Sequence, residues 1–389
     1  MKKTVLSLAV LSGFGATAAH AQSSVTLYGL IDEGFVYSNN VKTSTGSGHR
    51  YALASGNING SRWGLRGSED LGGGLKAIFQ LENGFNVSNG TLGQQGREFG
   101  RQAFVGLSSV QYGTATLGRQ YDSVVDFLGP MSLTGTGYGG YLATHPYDND
   151  NLDDSFRVSN SVKYMSPNFN GLKFGGLYGF SNSSTGFSQN RAYSGGVSYT
   201  YGGFNLAAGY MELNNSLSGT TPSSTTGAVS DAVISAARTR ILGGGFNYAF
   251  GPAVVGFVFT QSKYDDAGLG ATSGSVSYGL PAGAYLRFNN YEANVRYSVT
   301  PAWSLAAQFT YTQARESGFA AGGESTPKFY TASFMTSYSL SKRTDIYAQA
   351  VYMRINGHNF LGGADILDSG GASTTNKQVV GAIGIRHRF

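Results

Sequence analysis

The stretch Gln378-Val379-Val380-Gly381-Ala382-Ile383-Gly384-Ile385-Arg386-His387-Arg388-Phe389 decides the class of fold. Val379, Ile383, Ile385, His387 and Phe389 share one parity, while Gln378, Arg386 and Arg388 share the other. Successive side chains of a strand point to opposite faces, so this is a strand with one mainly apolar face that runs to a terminal aromatic. A soluble protein has no special reason to end on such a strand. A membrane barrel does, because its last strand closes the sheet and a terminal aromatic suits the lipid interface.

The same alternation recurs upstream. Leu75, Ala77, Phe79 and Leu81 face one way; Lys76, Gln80 and Glu82 face the other. Trp63 and Leu65 alternate with Arg62, Gly64 and Arg66. Phe246, Tyr248 and Phe250 alternate with Gly245, Asn247 and Ala249, and Leu305, Ala307, Phe309 and Tyr311 with Ala306, Gln308, Thr310 and Thr312. From Ile346 to Val351 neither parity is cleanly apolar. No long segment follows the 3.6-residue helical period.

Connections fall into two classes that take turns. Short ones include Glu69-Asp70-Leu71-Gly72-Gly73-Gly74, Tyr201-Gly202-Gly203 and Phe250-Gly251-Pro252. Long, polar ones run roughly over 39–48, 87–96, 121–156, 181–190, 214–237, 264–285, 315–326 and 355–375. About sixteen strands fill the gaps, an even number with both termini on the short-turn side. The expected fold is therefore all-β, a transmembrane antiparallel β-barrel in one unit over 22–389.

Composition narrows the function. The chain has no cysteine, which excludes disulfide scaffolds, zinc knuckles and thiol enzymes. Lys2 and Lys3, the apolar stretch Val5–Ala18 and Ala19-His20-Ala21 read as a cleaved signal peptide over residues 1–21. Losing the two lysines takes the formal charge from +5 to +3. No basic run appears, so no nucleic-acid partner is expected. No apolar segment is long enough for a transmembrane helix, which leaves an exported soluble protein or a closed barrel.

Several motifs stand in a characteristic order. They are Val25-Thr26-Leu27-Tyr28-Gly29, Ser61-Arg62-Trp63-Gly64-Leu65-Arg66-Gly67-Ser68-Glu69-Asp70-Leu71-Gly72, Gly100-Arg101-Gln102-Ala103-Phe104-Val105-Gly106-Leu107, Leu117-Gly118-Arg119-Gln120 and the closing Arg386-His387-Arg388-Phe389. Together they resemble the general trimeric porins of Gram-negative outer membranes, in particular the proteobacterial type with an Arg-His-x-Phe ending. The resemblance spans 25–389 and is most specific in the first 170 residues. It implies a 16-stranded barrel, a homotrimer in outer-membrane lipid, and passive diffusion of small hydrophilic solutes. It also implies a third loop, here Tyr121 to Phe156, folded inward to narrow the pore.

Arg62 and Arg66 lie on the face opposite Trp63 and Leu65, so if the apolar face meets lipid they point into water. By motif position Arg62, Arg101 and Arg157 resemble the family's basic cluster on the pore wall. Arg101 is opposite in parity to Phe104, an aromatic read, like Phe35, as a subunit contact. Arg97 and Arg119 are further candidates whose parity a bulge would reverse. Fixed positive charge in a narrow passage concentrates inorganic anions and repels cations. Facing carboxylates are expected from the third loop, where Asp122 and Asp126 lie at its start and Asp126 is the favoured partner. Some relatives carry Pro-Glu-Phe-Gly at the loop tip; this chain has Met131-Ser132-Leu133-Thr134-Gly135 and no acid between Asp126 and Asp148. Anion preference follows. The late block Asp148, Asp150, Asp153 and Asp154 is expected to be solvated, and it lacks the glycine and glutamate of an EF-hand.

Other signals are discounted. Gly135-Thr136-Gly137-Tyr138-Gly139-Gly140 matches G-x-G-x-x-G but belongs to no βαβ unit. His49, His145, His358 and His387 have no metal-ligand spacing, so neither a metal nor a cofactor is expected. The rivals to an open diffusion pore are a substrate-specific channel, a barrel adhesin and a barrel hydrolase assembled from distant Ser, His and carboxylate side chains.

Overall fold

The computed structural model describes residues 24–184, 186–216, 227–267, 271–273, 276–278, 280–319 and 322–389. The expected signal peptide lies outside these residues, as does the middle of the 214–237 connection. The chain runs as β1 (Ser24–Thr43), β2 (Gly46–Ser55), β3 (Arg62–Gly72), β4 (Leu75–Gly84), β5 (Gln102–Ser109), β6 (Gly113–Gln120), α1 (Ser123–Phe127), β7 (Val158–Met165), β8 (Leu172–Gly179), β9 (Arg191–Tyr201) and β10 (Phe204–Asn214). It continues with β11 (Arg238–Phe250), β12 (Ala253–Ala267), β13 (Ala271–Ser273), β14 (Val276–Tyr278), β15 (Ala284–Ser298), β16 (Trp303–Ser317), β17 (Glu324–Ser325), β18 (Lys328–Ser339), β19 (Thr344–Asn356) and β20 (Lys377–Arg388).

Eighteen of these strands form one sheet, antiparallel at every pairing. β2 and β3 both pair with β1, along its second and first halves, and share one position in the wall. β17 is a two-residue extension on β16. Sixteen wall positions result, and β20 closes the barrel against β1 from Leu30↔Arg388 to Ser38↔Val380. Long connections and short turns sit at opposite ends, with both described termini at the short-turn end.

The terminal strand behaves as its parity requires. Ile383 and Ile385 are exposed on the outer face, whereas Gln378 and Arg386 are buried on the inner one. The ambiguous segment resolves in the same way: Tyr347, Gln349 and Val351 point inward, and Ile346 points out. Hydrogen bonding of every ladder satisfies the backbone, so an apolar outer surface is tolerable in lipid.

The first long connection departs from expectation. Instead of a loop over 39–48, β1 and β2 run on to a tight turn at Ser44-Thr45. A bulge between Ser38 and Val41 absorbs the polar Asn39-Asn40 pair. The irregular segment comes later, at 56–61, where Gly56 takes a φ of 83°. Asp32 of β1 holds that break open, accepting the Ile58 and Asn59 amides at 2.9 and 2.8 Å. Gly, Ser and Thr serve turns and long strands alike, so composition alone misplaces the boundary.

The third connection, 121–157, lies against inward-facing side chains around almost the whole wall. Leu133 N and Ser132 Oγ donate to Glu292 of β15 at 2.8 and 2.7 Å. Gln308 of β16 donates to Ala143 O at 2.8 Å, and Gln349 of β19 to Gly139 O at 2.6 Å. Arg386 of β20 reaches Gly137 O at 3.2 Å. A segment that touches so many strands of a closed barrel on their inward parity runs inside it.

Glycine makes the seat. A Cβ at Gly196 would fall 2.3 Å from Phe127 of α1, and one at Gly243 would fall 2.9 Å from Leu128. These wall glycines let the helix approach the strand backbone closely. Further along, Tyr147 packs edge-on against Phe288 and Phe329 in an apolar socket on the inner wall.

Candidate functional site

Asp122 starts the connection as the cap of α1. Its carboxylate accepts Val124 N at 2.7 Å and Val125 N at 3.3 Å, and it takes Asn151 Nδ2 at 2.8 Å. Burial, then the neighbouring Asp126, pushes its pKa up to about 6. Asp122 is thus a structural cap and does not face the arginines. Asp126, the favoured facing carboxylate, instead pairs with Lys163 of β7.

The carboxylates that do face the arginines are Glu82 and Asp154. Arg101 Nε lies 2.8 Å from Glu82 Oε1, and its Nη2 lies 3.5 Å from Asp154 Oδ2. The same Nη2 donates to Tyr121 Oη at 2.8 Å. Arg157 pairs with Asp154 and lies with Cζ 5.3 Å over the Tyr121 ring. Burial opposes both charges; for Arg101 the phenols of Tyr121 and Tyr141 and the carboxylates of Asp154 and Glu82 outweigh it. Asp154 and Tyr121 do the same for Arg157. Both guanidiniums are therefore held firmly ionised.

Arg101 arrives by a route other than alternation. Phe104 pairs with Gln80 on the inward parity, which corrects its assignment to a subunit contact. Arg101 precedes the β5 ladder, and this freedom lets its side chain turn inward to Glu82. Arg62 joins from β3, its Nε donating to Gly60 O at 2.8 Å. It borders a cavity of about 180 Å³ whose opposite side is Val125, Pro130, Asp153 and Asp154. Arg66 sits four residues toward the short-turn end, exposed, with Cζ 5.2 Å over Tyr28.

Arg97 and Arg119 are drawn elsewhere. A register shift between Gly118 and Gln120 displaces Arg119 from simple alternation. It donates to Gly100 O and Ser159 Oγ, both at 2.8 Å, and pairs with Asp231 of the fifth connection. Arg97 lies 3.9 Å from the same Asp231 oxygen. These two clasp neighbouring connections together, and Arg119 also touches the cluster, donating to Arg157 O at 3.3 Å.

The late aspartates are not solvated. Asp148, Asp150 and Asp153 are buried, because the connection carrying them is folded against the wall. Asp148 takes the amides of Asp153 and Ser155 at 3.2 and 3.3 Å. Burial, then Asp150, pushes its pKa up to about 7. Burial, with Asp148 and Asp154 beside it, raises Asp153 well above the carboxylate range. Asp150 belongs to a triad that sequence reasoning missed. His145 Nδ1 lies 2.6 Å from Asp150 Oδ2, and its Nε2 lies 3.0 Å from Glu292 Oε2. Burial opposes the imidazolium, but Asp150 and Glu292 outweigh it and raise the pKa to about 10. This buried cation rivets the connection to β15. Among the described residues, no cluster of three or more acidic or histidine side chains is arranged to hold a metal ion.

Comparison with known proteins agrees with this architecture. Residues 7–358 match the family described as Gram-negative porin. An outer membrane porin protein of Bordetella pertussis is 33% identical over 421 aligned positions covering all of both chains. Outer membrane porin protein 32 of Delftia acidovorans is 29% identical, again over the whole of both. Among solved structures, an anion-selective porin from Comamonas acidovorans superposes with a TM-score of 0.70 at 26% identity, covering 94% of this chain and 100% of that one.

Proposed function

The chain belongs to the Gram-negative porin family of outer-membrane channels, and we propose that it passes small anions in preference to cations. The channel itself works by passive diffusion and performs no reaction. One observation carries the preference: of the three arginines Arg62, Arg101 and Arg157, two are paired with Glu82 and Asp154, and Arg62 has no ion pair among the described residues. Asp153 lies across the same cavity, and burial, with Asp148 and Asp154 beside it, pushes its pKa up and so opposes its charge. A surplus positive charge in a confined aqueous passage raises the local anion concentration and repels cations. The likeness to an anion-selective porin supports the same reading. Inorganic anions and small hydrophilic solutes are the expected cargo, with the third connection setting the size limit.

The same proposal includes a homotrimer. Strands β5 to β8 have eight residues each. Tilted as barrel strands are, such a strand spans ~20 Å, short of the ~25 Å apolar band of an outer-membrane barrel. A neighbouring subunit would cover this low stretch of wall. The test is single-channel recording of the refolded protein in a planar bilayer under a salt gradient. Conductance in steps of three with an anion-favouring reversal potential is the expected result. In the folded triple variant Arg62→Gln, Arg101→Gln, Arg157→Gln, anion preference should fall; unchanged selectivity there would remove the arginine cluster from the account.

A further inference from the structure

Most inward-facing arginines of the barrel are already answered by acid. Arg101 and Arg157 engage Glu82 and Asp154, and Arg386 and Arg388 share Asp345. Arg296 differs. It lies on β15 in the inward parity of Glu292 and Asn294, near the short-turn end, and is half-buried. Its guanidinium meets the ring of Tyr138, 6.0 Å from Cζ, at the tip of the third connection. No carboxylate stands within ion-pair distance of it among the described residues. An aromatic face fixes the position of a guanidinium without cancelling its charge. A paired charge has a field that falls off quickly beyond the pair. A single unpaired charge acts over about a Debye length, ~8 Å at physiological salt, which is the scale of a constricted pore.

We propose that Arg296 is a selectivity-determining residue of the channel, an unpaired cation posted by Tyr138 beneath the third connection where anions leave toward the short-turn side. This rests on the anion-preferring reading above and assigns part of that preference to a residue outside the family-like cluster. Sequence alone does not single out Arg296, because Arg-Tyr at 296–297 has no motif around it.

The test compares three variants with the parent protein by reversal potential in potassium chloride gradients. Arg296→Gln should lower the anion-to-cation permeability ratio by about twofold or more, the scale of one unit charge acting across ~8 Å of water. Arg296→Lys should retain the ratio. Asp126→Asn with Lys163→Gln, which removes a pair that anchors the third connection and no net charge, should leave it nearly unchanged. Heat-modifiable migration on gels checks that each barrel is folded; since Arg296 has no acid partner, its loss strands no buried charge. A folded Arg296→Gln channel with the parental ratio overturns the proposal. So does an equal loss in the charge-neutral double variant, which would trace the effect to the shape of the connection. A parent protein without anion preference would instead overturn the reading on which the proposal rests.

Discussion

Replacing His145 with glutamine removes a cation that two buried carboxylates share. Glutamine has one amide nitrogen, so it can donate to Asp150 or to Glu292 but cannot bridge them as the imidazolium does across 2.6 and 3.0 Å. Taking one partner from a buried ion pair costs about 3–5 kcal/mol. Here the lower end applies, because Asp150 keeps Asn290 Nδ2 at 3.2 Å and Glu292 keeps Ser132, Leu133 and Asn294. The wall ladders are untouched, so the loss falls on docking of the third connection. About 3 kcal/mol raises the undocked fraction by roughly a hundredfold. Open-channel noise and protease cleavage within 121–157 should therefore increase, while the barrel keeps its heat-resistant migration. The pH dependence sharpens the test. A folded-state pKa near 10 lies above the ordinary 6.5, so this stabilisation is complete below about pH 6.5 and disappears as pH rises through about 10. The parent channel should grow noisier toward pH 10, and His145→Gln should be noisy throughout. A variant as quiet and protease-resistant as the parent at pH 7 would refute the rivet.

Two further outcomes follow from the same packing. Gly196→Leu puts a side chain where Phe127 already sits, an overpacking cost of about 1–3 kcal/mol, and should push α1 into the lumen and lower single-channel conductance; unaltered conductance would mean the helix is not seated there. Asp148 and Asp122, raised to about 7 and 6 by burial, bind protons more tightly in the docked state than in a free chain, so protease resistance of 121–157 should strengthen as pH falls from about 7 toward 4, and Asp148→Asn should flatten that slope.

The wall was legible because a strand has a period of two. Ile383 and Gln378 reveal their faces without knowledge of their partners, and the one-sided distribution of long connections needs only turn composition. Arg62 and Arg66 came from the same logic. The interior arrangement was not legible for a matching reason. The bonds that fix the third connection join residues 159 and 210 positions apart, and no local period records them. Glycines 196 and 243 look like strand breakers in sequence and serve as a seat in space. Arg119 was displaced by a bulge, and Arg101 gained its direction by standing one residue outside a ladder. Asp126 and Asp154 are both loop acids; only the path of the backbone between them decides which one meets the arginines. His145 had no signal, since its partners come five and 147 residues away.

The seam of the barrel has a consequence in time. Gly29 and Phe389 exchange two backbone hydrogen bonds, each 3.0 Å, and the ring of Phe389 covers Gly29 so closely that no side chain fits there. A growing chain makes β1 first and must wait for nearly all of its remaining length before its partner β20 exists. Until then every intermediate is an open sheet with two raw edges, apolar on one side, and such edges invite pairing with other chains. Closure then doubles as a proofreading step: a chain interrupted before β20 lacks the strand that pairs with β1 and completes the circle.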